Sequence, residues 1–520
     1  CWPAWDWRGA RSRMARPINR PAIALCVMLA TIMQALDTTI ANVALPYMQG
    51  TLSASQDQIN WVLTSYIVAA AIMTPPTGWL AARFGRKRLY LVSVAGFTVA
   101  SVLCAIAMTI DEAVIFRLLQ GAFGAALVPL SQATLLDNYP REKHGSAMAI
   151  WGLGIMVGPI LGPMLGGWLT DNYSWRWVFY INVPVGALAF FVISTFVPET
   201  QKNSKLSFDV FGFATLSLAI GAFQMFLDRG ESKDWFGSNE IIIELCLAVL
   251  AFYLFIVHTF TTDKPFINPA IFRDRSFSAS LVLIFIVGII LYATMALMPP
   301  FLQNLLNYPV VTTGMLLAPR GVGTMIAMLV VGRAMRWIDP RIVLAVGLGL
   351  SAYSLWWMEG FSLYLSSSEV IWSGIVQGIG LGLTWVPLST VAFATLPPAQ
   401  RTEAAGLFSL LRNVGSSAGI SLVTVLLTQN TQVNHATLAE NINPYNHLLQ
   451  HPVLKHFWDP WTSAGALALN EEITRQASMI AYLNDFKLMM IVTVISLPFV
   501  LLLSSPKKGA AKNKEAVVMD

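Results

Sequence analysis

The chain alternates long apolar runs with short polar connections. Each run has about 20 residues, the length that an α-helix needs to cross the hydrocarbon core of a bilayer. Fourteen such runs lie at residues 21–46, 58–82, 88–108, 112–135, 144–170, 176–198, 209–227, 240–261, 277–299, 311–332, 342–361, 369–394, 403–428 and 486–504. The pattern predicts an all-α polytopic membrane protein with 14 transmembrane helices, numbered here as segments 1 to 14.

Composition supports this prediction. Of the 520 residues, 55% are hydrophobic and 12% are charged, whereas about a quarter of the residues of a soluble globular protein are charged. The chain has four cysteines, Cys1, Cys26, Cys104 and Cys246, and their spacing is not that of metal ligands. The last three lie in apolar runs. We therefore expect neither a disulfide framework nor a zinc site.

Lysine and arginine are unevenly divided between the two sets of alternate connections. One set, which includes both termini, carries 24 of these residues, and the other set carries five. Short cytoplasmic connections are enriched in lysine and arginine. We therefore predict that both termini are cytoplasmic.

Two similar stretches indicate an internal repeat. GWLAARFGRKR (Gly78–Arg88) and GRAMRWIDPR (Gly332–Arg341) each have a glycine at a helix end followed by clustered arginines. The first stretch follows segment 2 and the second follows segment 10. This separation is the one expected if segments 7 and 8 were inserted between two six-helix halves.

The predicted organisation follows from this repeat. It comprises a cytoplasmic segment 1–20, an N-terminal six-helix bundle 21–198, two inserted helices 209–261, a C-terminal six-helix bundle 277–504 with an external loop 429–485, and a cytoplasmic tail 505–520. Within the loop, SAGALALNEEITRQASMIAYLN has helical periodicity, which predicts an amphipathic surface helix.

Two charges lie inside the apolar runs at similar depth. Asp37, in LDTTIANVALP (Leu36–Pro46) of segment 1, lies roughly 14 Å from the external end at 1.5 Å per residue. Arg117 of segment 4 lies about 9 Å from the same end. An intramembrane charge costs about 3 kcal/mol or more, so both residues are candidates for proton coupling. A fixed structural ion pair is the alternative.

Segment 5 contains GLGIMVGPILGPMLGG (Gly152–Gly167), in which glycines allow close helix contact and prolines weaken the backbone ladder. We expect a close helix interface that serves either packing or gating. The candidates for conformational roles, in this stretch and in the arginine-rich turn, are Gly78, Arg83, Gly85, Arg86, Lys87, Gly158, Pro159, Gly162, Pro163, Gly166 and Gly167.

Other polar side chains within apolar runs are candidates for substrate binding, with hydrogen bonding to neighbouring helices as the alternative. They are Gln34, Thr38, Asn42, Gln132, Arg320, Trp385, Arg412 and Asn413. Glu403 and Asp228 are further candidates for proton coupling. His447, His451 and His456 have a loose metal-like spacing, but Pro452 interrupts any helix, so we predict no metal site. The absence of a GxxxxGK[ST] motif argues against ATP as the energy source.

These stretches resemble the signature motifs of the major facilitator superfamily. LDTTIANVALP resembles the first-helix motif of its fourteen-helix drug:proton antiporter branch, GWLAARFGRKR the loop motif between helices 2 and 3, RLLQGAFGAA the helix 4 motif, and GLGIMVGPILGPMLGG the helix 5 motif of antiporters. Together with PLSQATLLDNYP, DNYSWRWVFYINVP and LDRGESKDWF, they are most similar to the EmrB type of multidrug exporter. Ala82 departs from the loop motif, which usually has an acid there.

The resemblance implies a fold of two six-helix bundles plus two inserted helices in a bacterial inner membrane. It implies proton-driven export of hydrophobic toxic compounds, without a cofactor. Arg320 and Arg412 would give a cationic cavity that suits anionic compounds of this class. The resemblance also implies an EmrA-like periplasmic adaptor and a TolC-like outer-membrane channel as partners.

Two other functions are compatible with parts of the pattern. A proton-coupled uptake symporter for an organic anion would use the same buried acid and arginines. A membrane-embedded enzyme or a sensor is disfavoured, because the apolar runs contain no cluster of His, Asp, Glu or Cys, and the cytoplasmic connections are too short for a signalling domain.

Overall fold

The computed structural model describes residues 20–140, 143–200, 202, 206–335, 337–397, 400–440, 442, 446, 458 and 462–504. Most of these residues are helical. The N-terminal part contains α1 (Arg20–Thr51), α2 (Gln56–Met73), α3 (Thr77–Phe84), α4 (Arg86–Ile106), α5 (Ile110–Gly124), α6 (Leu127–Asn138), α7 (His144–Asn172), α8 (Trp177–Tyr180) and α9 (Asn182–Phe196).

Two helices lie between the N-terminal and C-terminal parts: α10 (Val210–Arg229) and α11 (Asn239–Thr261). The C-terminal part contains α12 (Arg275–Pro300), α13 (Val310–Ala334), α14 (Pro340–Glu359), α15 (Ser367–Ala394), α16 (Arg401–Ala439) and α17 (Ser463–Ser496). Short 3₁₀ or π-helical turns extend two of them, at Phe301–Leu305 after α12 and at Leu497–Leu502 after α17.

The apolar runs become helices at all fourteen predicted positions. Twelve helical stretches of the described residues are long and apolar enough to cross a membrane. The other two predicted segments are 58–82, which forms α2 and α3 around a break at residues 74–76, and 144–170, which lies in the 29-residue α7. The predicted all-α membrane fold is confirmed.

The last two helices are longer than predicted. α16 continues past residue 428 to Ala439, and α17 begins at Ser463, well before the predicted start at 486. The stretch predicted as a separate surface helix is therefore the first part of α17, because no proline interrupts residues 463–496. His435 Nε2 and Asn470 Oδ1 lie 3.1 Å apart, so the two extensions run side by side.

Three histidines of the external loop have the loose metal-like spacing described above. His447, His451 and His456 lie outside the described residues.

The inserted helix α10 contacts both halves of the protein. It packs against α2 at Gly221, and one turn further along, Gln224 Nε2 donates a hydrogen bond to Ser417 Oγ of α16 at 2.6 Å. α11 pairs with α10 through Arg229, whose Nη1 lies 2.6 Å from Glu244 Oε1. The inserted pair therefore lies beside the junction of the two bundles.

An ion-pair bridge joins the two halves at the predicted cytoplasmic end. Asp137, at the end of α6, accepts hydrogen bonds from Arg86 Nη1 at 2.6 Å and from Arg401 Nη1 at 3.0 Å. Arg86 begins α4 of the N-terminal half, and Arg401 begins α16 of the C-terminal half. Arg86 Nη2 also donates to Thr402 Oγ1 at 3.1 Å. Both guanidinium groups are largely buried, so these bonds are stronger than exposed ion pairs.

Further contacts between the halves lie on the same side of the membrane. Ser146 Oγ of α7 donates to the Gly332 carbonyl of α13 at 2.9 Å. The rings of Trp151 on α7 and Trp385 on α15 stack with centroids 6.2 Å apart. The described conformation is therefore closed at the predicted cytoplasmic end.

We expect Asp137→Asn to weaken this closure, because it removes the carboxylate and leaves two like-charged guanidinium groups facing each other. A loss of about 2 kcal/mol lowers the ratio of closed to open protein more than tenfold. Spin labels at Thr195 of α9 and Ile342 of α14, both exposed, should move apart in pulsed electron resonance measurements.

The matched control is Asp171→Asn, which removes a carboxylate that bonds Tyr47 within the N-terminal half. This control should leave the label distance unchanged. An unchanged distance distribution in Asp137→Asn would contradict the proposed role of the bridge.

Candidate functional site

Asp37 lies on the face of α1 that is turned into the N-terminal half and has no solvent exposure. Its Oδ2 accepts a hydrogen bond from Arg117 Nη1 at 2.7 Å. Its Oδ1 accepts from Gln120 Nε2 at 2.7 Å and from Asn182 Nδ2 at 2.8 Å. Three donors thus replace the water that a carboxylate loses on burial.

Arg117 is equally enclosed, at 1% exposure. Besides Asp37, its Nη1 donates to Gln120 Oε1 at 2.8 Å, and its Nε donates to the Val62 carbonyl at 3.2 Å. The guanidinium carbon lies 4.3 Å from the centre of the Tyr66 ring, a distance at which the ring face attracts a cation. The guanidinium orientation is therefore fixed by α1, α2 and α5 together.

Two of the residues that hold Asp37, Gln120 and Asn182, were not among the predicted site residues. Gln120 follows Arg117 by three residues and so shares its helix face, a spacing that could have identified it. Asn182 begins α9 and also donates to Ser101 Oγ of α4 at 3.0 Å. No local spacing could have related Asn182 to Asp37, because they are 145 positions apart.

This arrangement links protonation to structure. A proton on Asp37 would remove the negative charge that compensates Arg117 and would leave a buried guanidinium without a counterion. The protonated state is thus stable only if Arg117 gains another partner or contact with water. The site can therefore convert proton binding into a rearrangement of neighbouring helices.

A second face of α1 carries Gln34, Thr38 and Asn42 at spacings of four residues. Thr38 and Asn42 are exposed, and Gln34 is half-buried. Polar side chains within a membrane helix face protein or a water-filled space rather than lipid. We call these three residues the polar stripe, and they therefore line the space between the halves. Thr38 of the stripe directly follows Asp37 in the sequence.

The C-terminal half contributes two cations, Arg320 of α13 and Arg412 of α16. No carboxylate among the described residues forms an ion pair with either of them. Arg320 Nη2 lies 3.4 Å from the Leu291 carbonyl, and Arg412 Nη2 donates to Asn413 Oδ1 at 3.1 Å. Cations with neutral partners retain the capacity to bind an anionic group.

Trp385 and Gln132 are fully buried polar residues with unused hydrogen-bonding capacity. Trp385 lies between Trp151 and Arg412, whose guanidinium carbon is 5.7 Å from its ring centre. Its indole nitrogen and both amide atoms of Gln132 have no hydrogen-bond partner among the described residues. Such groups cost free energy unless a partner or ligand satisfies them.

The other two candidate acids lie away from Asp37. Glu403 is in the first turn of α16, at the predicted cytoplasmic end, and accepts a hydrogen bond from the Asn268 backbone amide at 3.1 Å. Asp228 is near the opposite end of α10 and accepts from Gln224 Nε2 at 3.0 Å. The three acids are therefore at three different levels of the bundle.

The arginine-rich motif forms the turn between α3 and α4. Gly85 has a φ of 94°, in the left-handed region that glycine adopts without strain. Arg83 and Lys87 donate to backbone carbonyls at 2.6 Å, those of Leu206 and Ser194 respectively.

The same motif meets the C-terminal half at two points. Arg86 belongs to the ion-pair bridge, and Gly78 approaches α16 so closely that a Cβ atom there would lie 2.8 Å from the Glu403 Cα. The usual motif acid is replaced by Ala82, and the carboxylate of this bridge comes instead from Asp137.

The glycine-rich stretch of α7 packs directly on α1. A Cβ atom at Gly158 would overlap the Ala35 backbone, and Thr39 Oγ1 donates to the Gly158 carbonyl at 3.0 Å. The close helix contact predicted there is present. Gly162 and Gly166 approach α1 similarly closely, whereas a Cβ atom at Gly167 would be at an ordinary contact distance from Val43. The side chains of Pro159 and Pro163 lie outside the described residues.

Comparison with known proteins gives the same class of protein as the fold and the buried charges. The model of the Major Facilitator Superfamily matches residues 27–420. The chain is 37% identical to the multidrug export protein EmrB of Haemophilus influenzae over 88% of this chain and 90% of that protein. It is 34% identical to the fatty acid resistance protein FarB of Neisseria gonorrhoeae over 94% and 98%.

Solved structures support the fold. The proton:xylose symporter XylE aligns with a TM-score of 0.58 at 14% identity, over 91% of this chain and 94% of that one. The chain belongs to the Major Facilitator Superfamily, in the group that contains the EmrB-type multidrug export proteins.

Arg117→Gln is expected to destabilise the protein by about 3–5 kcal/mol, because it leaves the Asp37 carboxylate buried without its cation. The double variant Asp37→Asn/Arg117→Gln should recover most of this loss, since no charge remains. Thermal unfolding of Asp37→Asn, Arg117→Gln and the double variant, each purified in the same detergent as the wild-type protein, measures these effects.

Arg412→Gln is the matched control, because it removes a buried arginine that has no ion pair among the described residues. It should cost less than Arg117→Gln. Equal melting temperatures for Arg117→Gln and the double variant would contradict the expected recovery.

Proposed function

We propose that the protein is a drug:proton antiporter that exports hydrophobic toxic compounds across a bacterial inner membrane. The observation that carries the proposal is the buried Asp37–Arg117 pair, one residue away from the polar stripe on α1. The relatives named for multidrug export and fatty acid resistance support the same function.

Coupling would follow from linkage between the proton and the drug. A proton on Asp37 disturbs the Arg117 pair, and a drug on the polar stripe of α1 contacts the same helix. If the two ligands stabilise oppositely facing states, the inward flow of protons drives export. With both termini cytoplasmic, the described conformation faces outward, where drug leaves and a proton enters.

The substrates would include anionic amphiphiles. Arg320 and Arg412 in the C-terminal half, both without a carboxylate partner among the described residues, support this class, and so does Trp385 beside Arg412. A proton-coupled uptake symporter for an organic anion would use the same residues, and the two functions differ in the direction of coupled flux.

The extensions of α16 and α17 would bind a periplasmic adaptor of the EmrA kind that leads to a TolC-like channel. They carry exposed apolar side chains beyond the predicted membrane segments, such as Val433 at 63% and Leu467 at 59% exposure. Exposed apolar groups outside the lipid are typical of binding surfaces. A solvated connection that covers the cavity is the alternative.

Asp37→Asn should abolish proton-coupled efflux, by tenfold or more, while membrane insertion stays normal and drug binding is retained. The substitution keeps size and hydrogen bonding but removes the titratable group. Asp37→Glu should keep partial activity. The measurement is drug flux and drug-driven proton release in proteoliposomes with an imposed proton gradient.

The control for this test is Asp111→Asn, which neutralises an exposed acid in the first turn of α5 and should transport normally. Full drug-driven proton release by Asp37→Asn protein would exclude Asp37 as the coupling acid. Drug and protons moving in the same direction through the wild-type protein would favour the symporter.

Arg412→Gln should reduce resistance to anionic amphiphiles such as fatty acids about fourfold or more, and should affect neutral compounds less, because one charge-assisted hydrogen bond is worth about 1.5–3 kcal/mol. A growth-inhibition panel in a deletion strain complemented with each variant measures this. Arg273→Gln, at an exposed arginine, is the control. An equal loss for anionic and neutral compounds would refute the anion-binding role.

Val433→Ser/Leu467→Ser should reduce co-purification of the adaptor while transport by the exporter alone in proteoliposomes stays normal, since both side chains are outside the transport path. Tyr364→Ser, at a 96% exposed residue of another connection, should change neither. Unchanged co-purification and resistance in the double variant would exclude this surface.

A further inference from the structure

A second acid is buried in the C-terminal half. Asp485 of α17 is 1% exposed, and neither carboxyl oxygen has a hydrogen-bond partner among the described residues. In this it differs from Asp37, which has three donors. An ionised carboxylate without partners costs several kcal/mol in apolar surroundings, and such a group carries a proton instead.

Aromatic residues of an apolar cluster flank Asp485 along α17. Tyr482 and Phe486, on the same helix, contact the Phe301 ring with centroids 5.2 Å and 6.1 Å away. The same cluster includes Leu297 and Met298 of α12, Met358 of α14 and Val423 of α16.

Charged groups near this cluster are already paired or lie at other levels. Lys487, two residues after Asp485, lies 3.1 Å from Glu359 of α14. Tyr482 is the titratable neighbour on α17 itself. On α12 the titratable residue is Tyr292, which lies between the cluster residues Ile290 and Ala293 along the helix. On α16 the titratable groups on either side of Val423 are Arg412 and His435, both more than two helical turns away from it. The residues 301–305 contain no titratable group.

The end of α12 that covers this cluster has a weak backbone ladder. Pro299 and Pro300 have no N–H groups to donate, and the chain continues as a π-helical turn over Phe301–Leu305. Such turns are rare and frequently mark functional positions. Asn307, two residues further on, has a φ of 58° in the left-handed region. This segment can therefore move with little loss of helical hydrogen bonding.

We infer that Asp485 is a second proton-binding site, whose occupancy controls whether the 299–305 segment packs against α17. With a proton bound, the neutral carboxyl is compatible with the apolar cluster. Without it, the carboxylate requires water, which enters when Phe301 moves away. The role in transport rests on the proposed antiport function, in which the outward-facing conformation would take up an external proton at this site.

The equilibrium between the packed and the hydrated arrangement depends on pH. The packed arrangement binds one more proton than the hydrated one, so it is favoured at low pH and is lost as pH rises. The opposite dependence, or none, is inconsistent with the inference.

The test uses the full-length protein in nanodiscs, free of native cysteines, with a single cysteine replacing the fully buried Leu302. A thiol reagent is applied between about pH 5.5 and pH 8.5. Its rate is divided by the rate at a cysteine replacing the exposed Tyr364, which corrects for ionisation of the thiol. We expect the corrected rate to rise about fivefold or more with pH, because deprotonation shifts the packing equilibrium.

Asp485→Asn mimics the protonated carboxyl, so the corrected rate should be low and independent of pH, whereas Asp485→Glu should retain the rise. The same rise in Asp485→Asn would overturn the inference. If neither variant folds, a pH-independent rate in the protein that retains Asp485 overturns it without them.

A second arm separates this inference from the proposed function. The labelling requires neither drug nor flux, so it should persist in Asp37→Asn. If the rate depends on pH but the protein shows no drug:proton exchange, the Asp485 site is supported and antiport is refuted. If the protein exchanges drug for protons but the rate does not depend on pH, antiport is supported and the Asp485 site is refuted.

Discussion

The cost of burying a carboxylate at membrane depth dominates the N-terminal half of this structure. Asp37 can be charged there only because Arg117, Gln120 and Asn182 supply three donors at 2.7–2.8 Å. These donors come from α5 and α9, so the carboxylate fixes the register of α1 against two helices at once. On another face of α1, the contact at Gly158 leaves no room for any larger residue of α7. The first helix is therefore held as part of a rigid unit.

The contacts between the halves combine apolar packing with ionic groups. The Trp151 and Trp385 rings stack across the junction, and the cytoplasmic bridge adds Asp137, Arg86 and Arg401. When the halves separate, ionic groups near the membrane surface can bind water in place of their ionic partners, at a cost of a few kcal/mol. A rigid half joined to another by contacts of this type can rock without losing its own structure.

The sequence was sufficient to predict the helices, because a span of about 20 apolar residues has few other solutions in lipid. It also related Asp37 to Arg117, since the rise per residue gives depth. It did not identify Asn182 or Asp137, because depth along a helix says nothing about which helices are neighbours. Asp485 was missed for another reason: the segment boundary at 486 left it in a predicted loop, whereas α17 continues through it without a break.

The distribution of charge restricts how a proton and an anionic substrate can be coupled. Protonation of Asp37 leaves Arg117 uncompensated and makes the central region more positive, as do Arg320 and Arg412. By electrostatics alone, a proton would then strengthen the binding of an anion, which is the behaviour of a symporter. For antiport of anions, the proton must therefore change the side of the membrane to which the two halves open. Direct competition between the proton and the anion would not suffice. The pathway available for this effect is α1, which carries Asp37 on one face and the polar stripe on another.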